Sequence, residues 1–469
     1  MGDDLCFATI EELGDRLARW ELSPVELTEA VLTRIEQHND EMRAYITVTR
    51  EVALEQARQA EREMRAGKRR GPMHGIPIAL KDNVATASIR TSCASMVDPE
   101  WVPDEDATVY TKLREAGAIL LGKANLYEYA FSMNPAFPQP LNPWHAERSS
   151  AGSSSGSAVS VAAGMAHGSI GSDTGGSGRQ PANVNGVVGF KGTYGLVSRA
   201  GVVPLSYSLD HVTVFNRQAV DAAIMLEAIA GHDPRDEYSA SLPVADMRSR
   251  IGTSLRGMRI GRARGYTYEN IDADVERVTN EAFEVLRGLG ADIQDVELPY
   301  VQHCVALQQS IMLPEAATVH YRNLRESPDK LGEVAIMRLD LGNSVPATAY
   351  IHAQQVRKLM RAAFRRLFKT CDVIVGPGNA VRAGAAGEWT TELDGRTIDL
   401  RQVGPEYTGI YNLSGNPAIV IPAGFSSEGT PIGIQIAGRW WDEPTVLQVA
   451  HAFEQATDWH GRRPPLPVG

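Results

Sequence analysis

Two tracts of glycine and serine, joined by a small apolar segment, carry the residues best suited to covalent chemistry in this chain. The first covers residues 149–157; the second is Gly171-Ser172-Asp173-Thr174-Gly175-Gly176-Ser177-Gly178-Arg179. Most such tracts are flexible linkers. A linker would waste the apolar residues 158–170 between them, whereas in a core that segment pins both loops. Fixed glycine-rich loops let main-chain N–H groups approach a bound oxygen with no Cβ in the way. A tetrahedral oxyanion needs that arrangement, and a serine nucleophile beside it needs a base.

Lys81 is the best base available. Gly75-Ile76-Pro77-Ile78-Ala79-Leu80-Lys81-Asp82 reads as a short apolar strand ending on the lysine. Desolvation there disfavours the ammonium and leaves a neutral amine that accepts a proton. A lysine paired with Asp82 at a strand end explains the spacing equally well.

Three other motifs compete. Gly117-Ala118-Ile119-Leu120-Leu121-Gly122-Lys123 matches most of a P-loop, but Ala124 replaces the Mg²⁺-binding hydroxyl and the loop is an apolar strand. Asp173-Thr174-Gly175 resembles an aspartic-protease triplet without the second carboxylate that this chemistry requires. Gly152-Ser153-Ser154-Ser155-Gly156 fits the nucleophile elbow of an α/β-hydrolase-like esterase, with Ser154 attacking and His451 or His460 as base. The polar residues before it make a poor elbow strand, and neither histidine sits in a partner motif.

The elements that must position these groups follow a strand–helix–strand rhythm. Thr9-x-x-Glu12 and Ser23-Pro24-Val25-Glu26 are capping boxes that start helices in residues 1–65. Asp106 and Asp442 are expected to cap later helices. Residues 70–220 hold the catalytic motifs, 230–370 read as a helical cover, and 371–469 supply C-terminal strands and a helix. Residues 380–394, rich in Gly, Ala and Thr, read as a mobile loop. The expected fold is one large α/β domain, with a twisted mixed central sheet covered by helices on both faces.

At 469 residues and 43% hydrophobic, the chain can bury a large core. A net charge of -11 argues against a nucleic-acid-binding surface. Four scattered cysteines fit reduced thiols in the cytoplasm. No signal peptide and no membrane span is legible.

These motifs together resemble the amidase-signature family, whose hallmarks are G-x-P-x-x-x-K-D, G-G-S-S-G-G-S and G-S-D-T-G-G-S-x-R. Gly122-Lys123-Ala124-Asn125-Leu126-Tyr127-Glu128-Tyr129-Ala130, Gly189-Phe190-Lys191 and Leu205-Ser206-Tyr207-Ser208-Leu209-Asp210-His211 extend the likeness over nearly the whole chain. The resemblance implies a Ser–cisSer–Lys triad of Ser177, Ser153 and Lys81. Ser177 would attack the carbonyl, and Ser153, behind a cis bond from Gly152, would relay the proton to Lys81. The oxyanion would meet N–H groups of Thr174, Gly175, Gly176 and Ser177, while Ser154 would orient Lys81. No cofactor or metal is implied.

Several positions depart from the family pattern. Gly178 replaces a bulky aliphatic and is expected to enlarge the pocket; Gly192 and Asn416 are expected to reshape its rim. The expected wall segments are residues 126–137, 308–313, 376–382 and 407–413. The reaction implied is hydrolysis of a small to medium amide, aryl amide or carbamate. The expected partner is that small-molecule substrate, with a homodimer left open and neither nucleic acid nor membrane. One alternative is the A subunit of a glutamine-dependent aminoacyl-tRNA amidotransferase, which Tyr127 at an acidic or small polar position argues against. Another is a non-catalytic scaffold.

Overall fold

In the computed structural model, which describes residues 2–265, 271–393 and 395–466, both early capping boxes are formed. The Thr9 and Ser23 hydroxyls accept the N–H groups of Glu12 and Glu26, whose carboxylates reach back to the cap N–H groups. Asp106 departs from expectation. It accepts the Ala87 N–H and pairs with Arg114, while the helix Thr108–Glu115 starts behind Ala107. Asp442 does hold the cap position of Glu443–Gln455, though its side chain bonds the Thr445 hydroxyl rather than a helix N–H.

The described residues form one eleven-stranded sheet. Its first half contains β1 (Tyr45–Val48), β2 (Pro77–Lys81), β3 (Ile119–Ala124), β4 (Gly168–Asp173), β5 (Val188–Lys191) and β6 (His211–Asn216). Its second half contains β7 (Arg259–Arg264), β8 (Asp292–Glu297) and β9 (Val373–Pro377). A separate hairpin, β10 (Thr390–Leu393) and β11 (Arg396–Asp399), precedes β12 (Ala418–Phe425) and β13 (Pro431–Gly438). The strand order is β1-β3-β2-β4-β6-β5-β12-β13-β9-β7-β8. β2 runs parallel to β3 and β4, whereas β4, β6, β5, β12, β13 and β9 pair antiparallel in turn.

Period-2 alternation assigns the two faces of β2. Ile78 and Leu80 belong to the core cluster that includes the helix Ala219–Ile229, and Ala79 to the one that includes the helix Ser155–Ala162. Helices therefore cover both faces, and Lys81 shares the face of Ala79. The joining segment is buried throughout, as its composition predicts. In β3, Lys123 donates to Val84 O and the Thr91 hydroxyl inside the core, so the P-loop-like residues bind nothing there.

The region 230–370 is not wholly helical. It adds β7 and β8 to the sheet edge, in parallel register. Their polar sequences hide them: Arg262 and Asp295 pair across the two strands, and charged residues are what an edge strand carries. Residues 380–393 are likewise not simply a loop, since β10 begins at Thr390; Asp394 lies outside the described residues. All four cysteines are buried, and none forms a disulfide among the described residues. No helix among the described residues is long and apolar enough to cross a membrane.

Candidate active site

Lys81 ends β2 fully buried, and Ser153 stands two residues before the helix Ser155–Ala162 on the same face. Lys81 Nζ lies 2.7 Å from Ser153 Oγ and 2.9 Å from Ser172 Oγ. Burial pushes the ammonium down to about 7, against the upward pull of Asp173 and Asp210. The alternative pairing with Asp82 is absent. Its carboxylate accepts the Ser92 N–H and hydroxyl and sits 3.5 Å from Lys123.

The peptide bond Gly152–Ser153 is cis. The next serine does not do what its position suggests. Ser154 Oγ donates to Ser172 O at 3.0 Å and accepts the Ser172 N–H at 3.3 Å. Ser172's own hydroxyl is the one that reaches Lys81, so Ser154 acts on the lysine only through the Ser172 main chain. Ser172 stands inside the second glycine-rich motif, but its residue type alone gives it no role.

The second loop is framed by a buried ion pair. Arg179 Nε and Nη2 each lie 3.0 Å from Asp173, and the guanidinium also donates to Thr408 O, Gln435 and Asn412. Burial opposes the charge on Asp173, but Arg179 holds the carboxyl well below its usual range. The same carboxylate accepts N–H groups of Gly176 (2.7 Å) and Gly178 (3.1 Å). Gly176 therefore commits its N–H to the frame. Among the described residues the N–H groups of Gly175 and Ser177 have no acceptor and stay available.

Two side chains from the expected wall segments clamp this loop. Gln308 Nε2 donates to Thr174 O at 3.4 Å, and the Thr408 hydroxyl donates to Gly175 O at 2.9 Å. A Cβ on Gly175 would fall 1.9 Å from Gln308, and one on Gly176 would fall 2.0 Å from Thr408. A side chain at either glycine would therefore collide with its clamp.

Ser153, Thr174, Gly175 and Ser177 line one cavity of about 310 Å³. Three of the four expected segments contribute, with Tyr127 and Phe131, Gln308 and Met312, and Asn379 and Arg382. Residues 407–413 support the loop instead of lining the cavity. The hairpin region adds Trp389, Asp399 and Arg401, a wall that no sequence motif marks. Neither His451 nor His460 lines it, so Ser154 has no histidine partner there. Gly178 does not enlarge it either: a Cβ would strike the buried Thr213 at 2.4 Å. Gly192 faces Leu196, and Asn416 bonds Gly438 O, both away from the rim.

Comparison with known proteins fits this geometry. The family model "Amidase" matches residues 26–447. The chain is 40% identical to the A subunit of the glutamyl-tRNA(Gln) amidotransferase of Geobacter metallireducens, over 97% of this chain and 98% of that one. It superposes on the crystal structure of the same-named subunit from Thermotoga maritima with a TM-score of 0.81, 33% identity, and 96% and 95% of the two chains covered. For a 6-aminohexanoate cyclic dimer hydrolase complexed with substrate the values are 0.89, 27%, 98% and 99%.

The curated relatives correct one expectation. A small-molecule substrate with no nucleic acid, and at most a homodimer, does not describe proteins named as one subunit of an enzyme directed at a tRNA. Net charge describes this chain's own surface, and one member of an assembly need not hold the RNA itself. Tyr127 likewise does not outweigh 40% identity over 97% of this chain.

Proposed function

The chain belongs to the amidase family and hydrolyses amide C–N bonds; from that premise we propose that it is the glutamine-hydrolysing component of an aminoacyl-tRNA amidotransferase. The full-length likeness to curated relatives of that name carries the reading. Arg338 supports it. Its guanidinium lies on the cavity wall 3.9 Å from the Phe131 ring centroid, donates to Phe131 O, and forms no ion pair among the described residues. Glutamine brings an α-carboxylate, the group such an arginine binds best. The role belongs in the cytoplasm.

In this mechanism Ser177 Oγ attacks the side-chain amide while Ser153 passes its proton to neutral Lys81. Ser172 holds the amine in line. The oxyanion meets the free N–H groups of Gly175 and Ser177, with Thr174 at the loop edge. Each such donor is worth about 10²–10³ in rate. Gly176 contributes by anchoring the loop to Asp173. The proton then returns through Ser153 to the leaving nitrogen, ammonia departs, and water hydrolyses the acyl-enzyme.

The test is ammonia release from L-glutamine, followed by conversion of glutamyl-tRNA(Gln) to glutaminyl-tRNA when the partner subunits are added. Hydrolysis of simple aliphatic or aryl amides by the isolated chain, with glutamine inert and no tRNA product, overturns the assignment.

A further inference from the structure

A second cavity, of about 430 Å³, lies on the other side of Lys81. Ala130, Thr174 and Leu205 line both cavities and form the wall between them. The outer rim carries Tyr207 and Tyr238, 38% and 39% exposed, so the second cavity reaches the surface. Lys81 thus has one hydroxyl toward each space: Ser153 toward the substrate cavity and Ser172 toward the second.

The inner end of the second cavity is built for water. Ser172 Oγ accepts from Lys81 Nζ and, at 3.3 Å, from Asn83 Nδ2, which leaves its own O–H to point into the cavity. Asn83 Oδ1 and His211 Nε2 have no partner among the described residues, although their side chains line the cavity and are only 1% and 5% exposed. His211 Nδ1 lies 2.7 Å from Leu209 O and so carries the ring hydrogen, which makes Nε2 a lone-pair acceptor. Buried acceptors in a roomy polar cavity are satisfied by ordered water.

Proton balance gives this water a task. Hydrolysis of an amide yields a carboxylic acid at Ser177 and a free amine. The amine departs as the neutral base. The acid, far stronger than the Lys81 ammonium, gives its proton to the amine of Lys81, leaving a carboxylate and a charged base. Lys81 must lose that proton before the next turnover.

We propose that the second cavity is the proton exit of Lys81. The Lys81 ammonium gives a proton to Ser172 Oγ as Ser172 gives its own to the water held by Asn83, leaving neutral Lys81, an intact Ser172 hydroxyl and a hydronium that leaves past Tyr207 and Tyr238. This rests on the reading of Lys81 as the base.

The test fills the cavity from residues outside the catalytic set. In Val203→Phe and Ala200→Phe, covalent labelling of Ser177 by a fluorophosphonate, a single event that needs no reset, should stay within about twofold of the parent. Steady-state kcat on L-glutamine should fall at least about tenfold with KM unchanged, and its solvent deuterium isotope effect should rise. Val203→Leu and Ala200→Leu, which fill the same cavity less fully, should show the same split in lesser degree; they decide the matter if the phenylalanine variants do not fold. Turnover within twofold of the parent, or labelling and turnover falling by the same factor, overturns the proposal. Lys81→Ala, labelled alongside, reports separately: undiminished labelling would remove the reading beneath it.

Discussion

Tyr127 packs against Gly152 so closely that a Cβ on the glycine would lie 2.3 Å from the ring's Cζ and 2.5 Å from both Cε atoms. The Tyr127 N–H also donates to Ser153 O at 3.0 Å, and the Tyr127 and Trp389 rings pack T-shaped with centroids 5.6 Å apart. One residue therefore grips the Gly152–Ser153 peptide by ring and main chain together. Gly152→Ala should displace Ser153 and lower kcat by about 100-fold, the cost of misplacing a reacting group by an ångström. Tyr127→Ala in that background should recover part of the loss in steady-state assays, because the collision is gone.

Activity should fall as pH drops through neutrality. Burial brings the Lys81 ammonium to about 7, and only the neutral amine can accept the proton from Ser153. A kcat/KM profile should therefore show an acid limb with an apparent pKa near 7, tenfold lower activity per pH step below it, and a plateau above.

Removing the cation beneath the second loop should cost stability and activity together. Arg179→Met leaves the Asp173 carboxylate buried without its guanidinium, a change worth about 3–5 kcal/mol. Denaturant unfolding should show that loss. Since Asp173 also holds Gly176 and Gly178, fluorophosphonate labelling should slow as well.

A buried acid far from the site should make the fold less stable in alkali. Glu454 accepts the Ala219 N–H with both oxygens, at 3.0 and 2.9 Å, and burial pushes its carboxyl up to about 8. The folded chain then holds a proton that the unfolded chain has already lost, so stability declines as pH rises from the ordinary carboxyl range toward 8. Glu454→Gln keeps an acceptor and carries no charge. Its Tm should exceed that of the parent by several degrees at pH 9 and converge with it near pH 5.

Lys81, Ser153 and Ser177 are legible as candidates because glycine, serine and a lysine ending an apolar strand are unusual in combination. Ser172 and Thr408 are not, because a hydroxyl's role depends on which loop folds against it. Gln308 lies on the helix Cys304–Val319, far away in sequence, and nothing local marks it as a clamp on Thr174. Gly178 misleads because a missing side chain reads as space, whereas Thr213 fills it. The strands β7, β8, β10 and β11 are hidden because exposed charges break the alternation that announces a strand. The helix starts at Thr9 and Ser23 are readable since a capping box is a purely local pattern.

In the proposed mechanism Ser177 attacks and Lys81 activates it through Ser153. Peptide mapping after treatment with a fluorophosphonate tests it most directly. A single adduct on Ser177 in the parent chain, absent in Ser177→Ala and strongly slowed in Lys81→Ala and Ser153→Ala, is the predicted result. An adduct on Ser154, or labelling of Ser177 at full rate without Lys81, would contradict it.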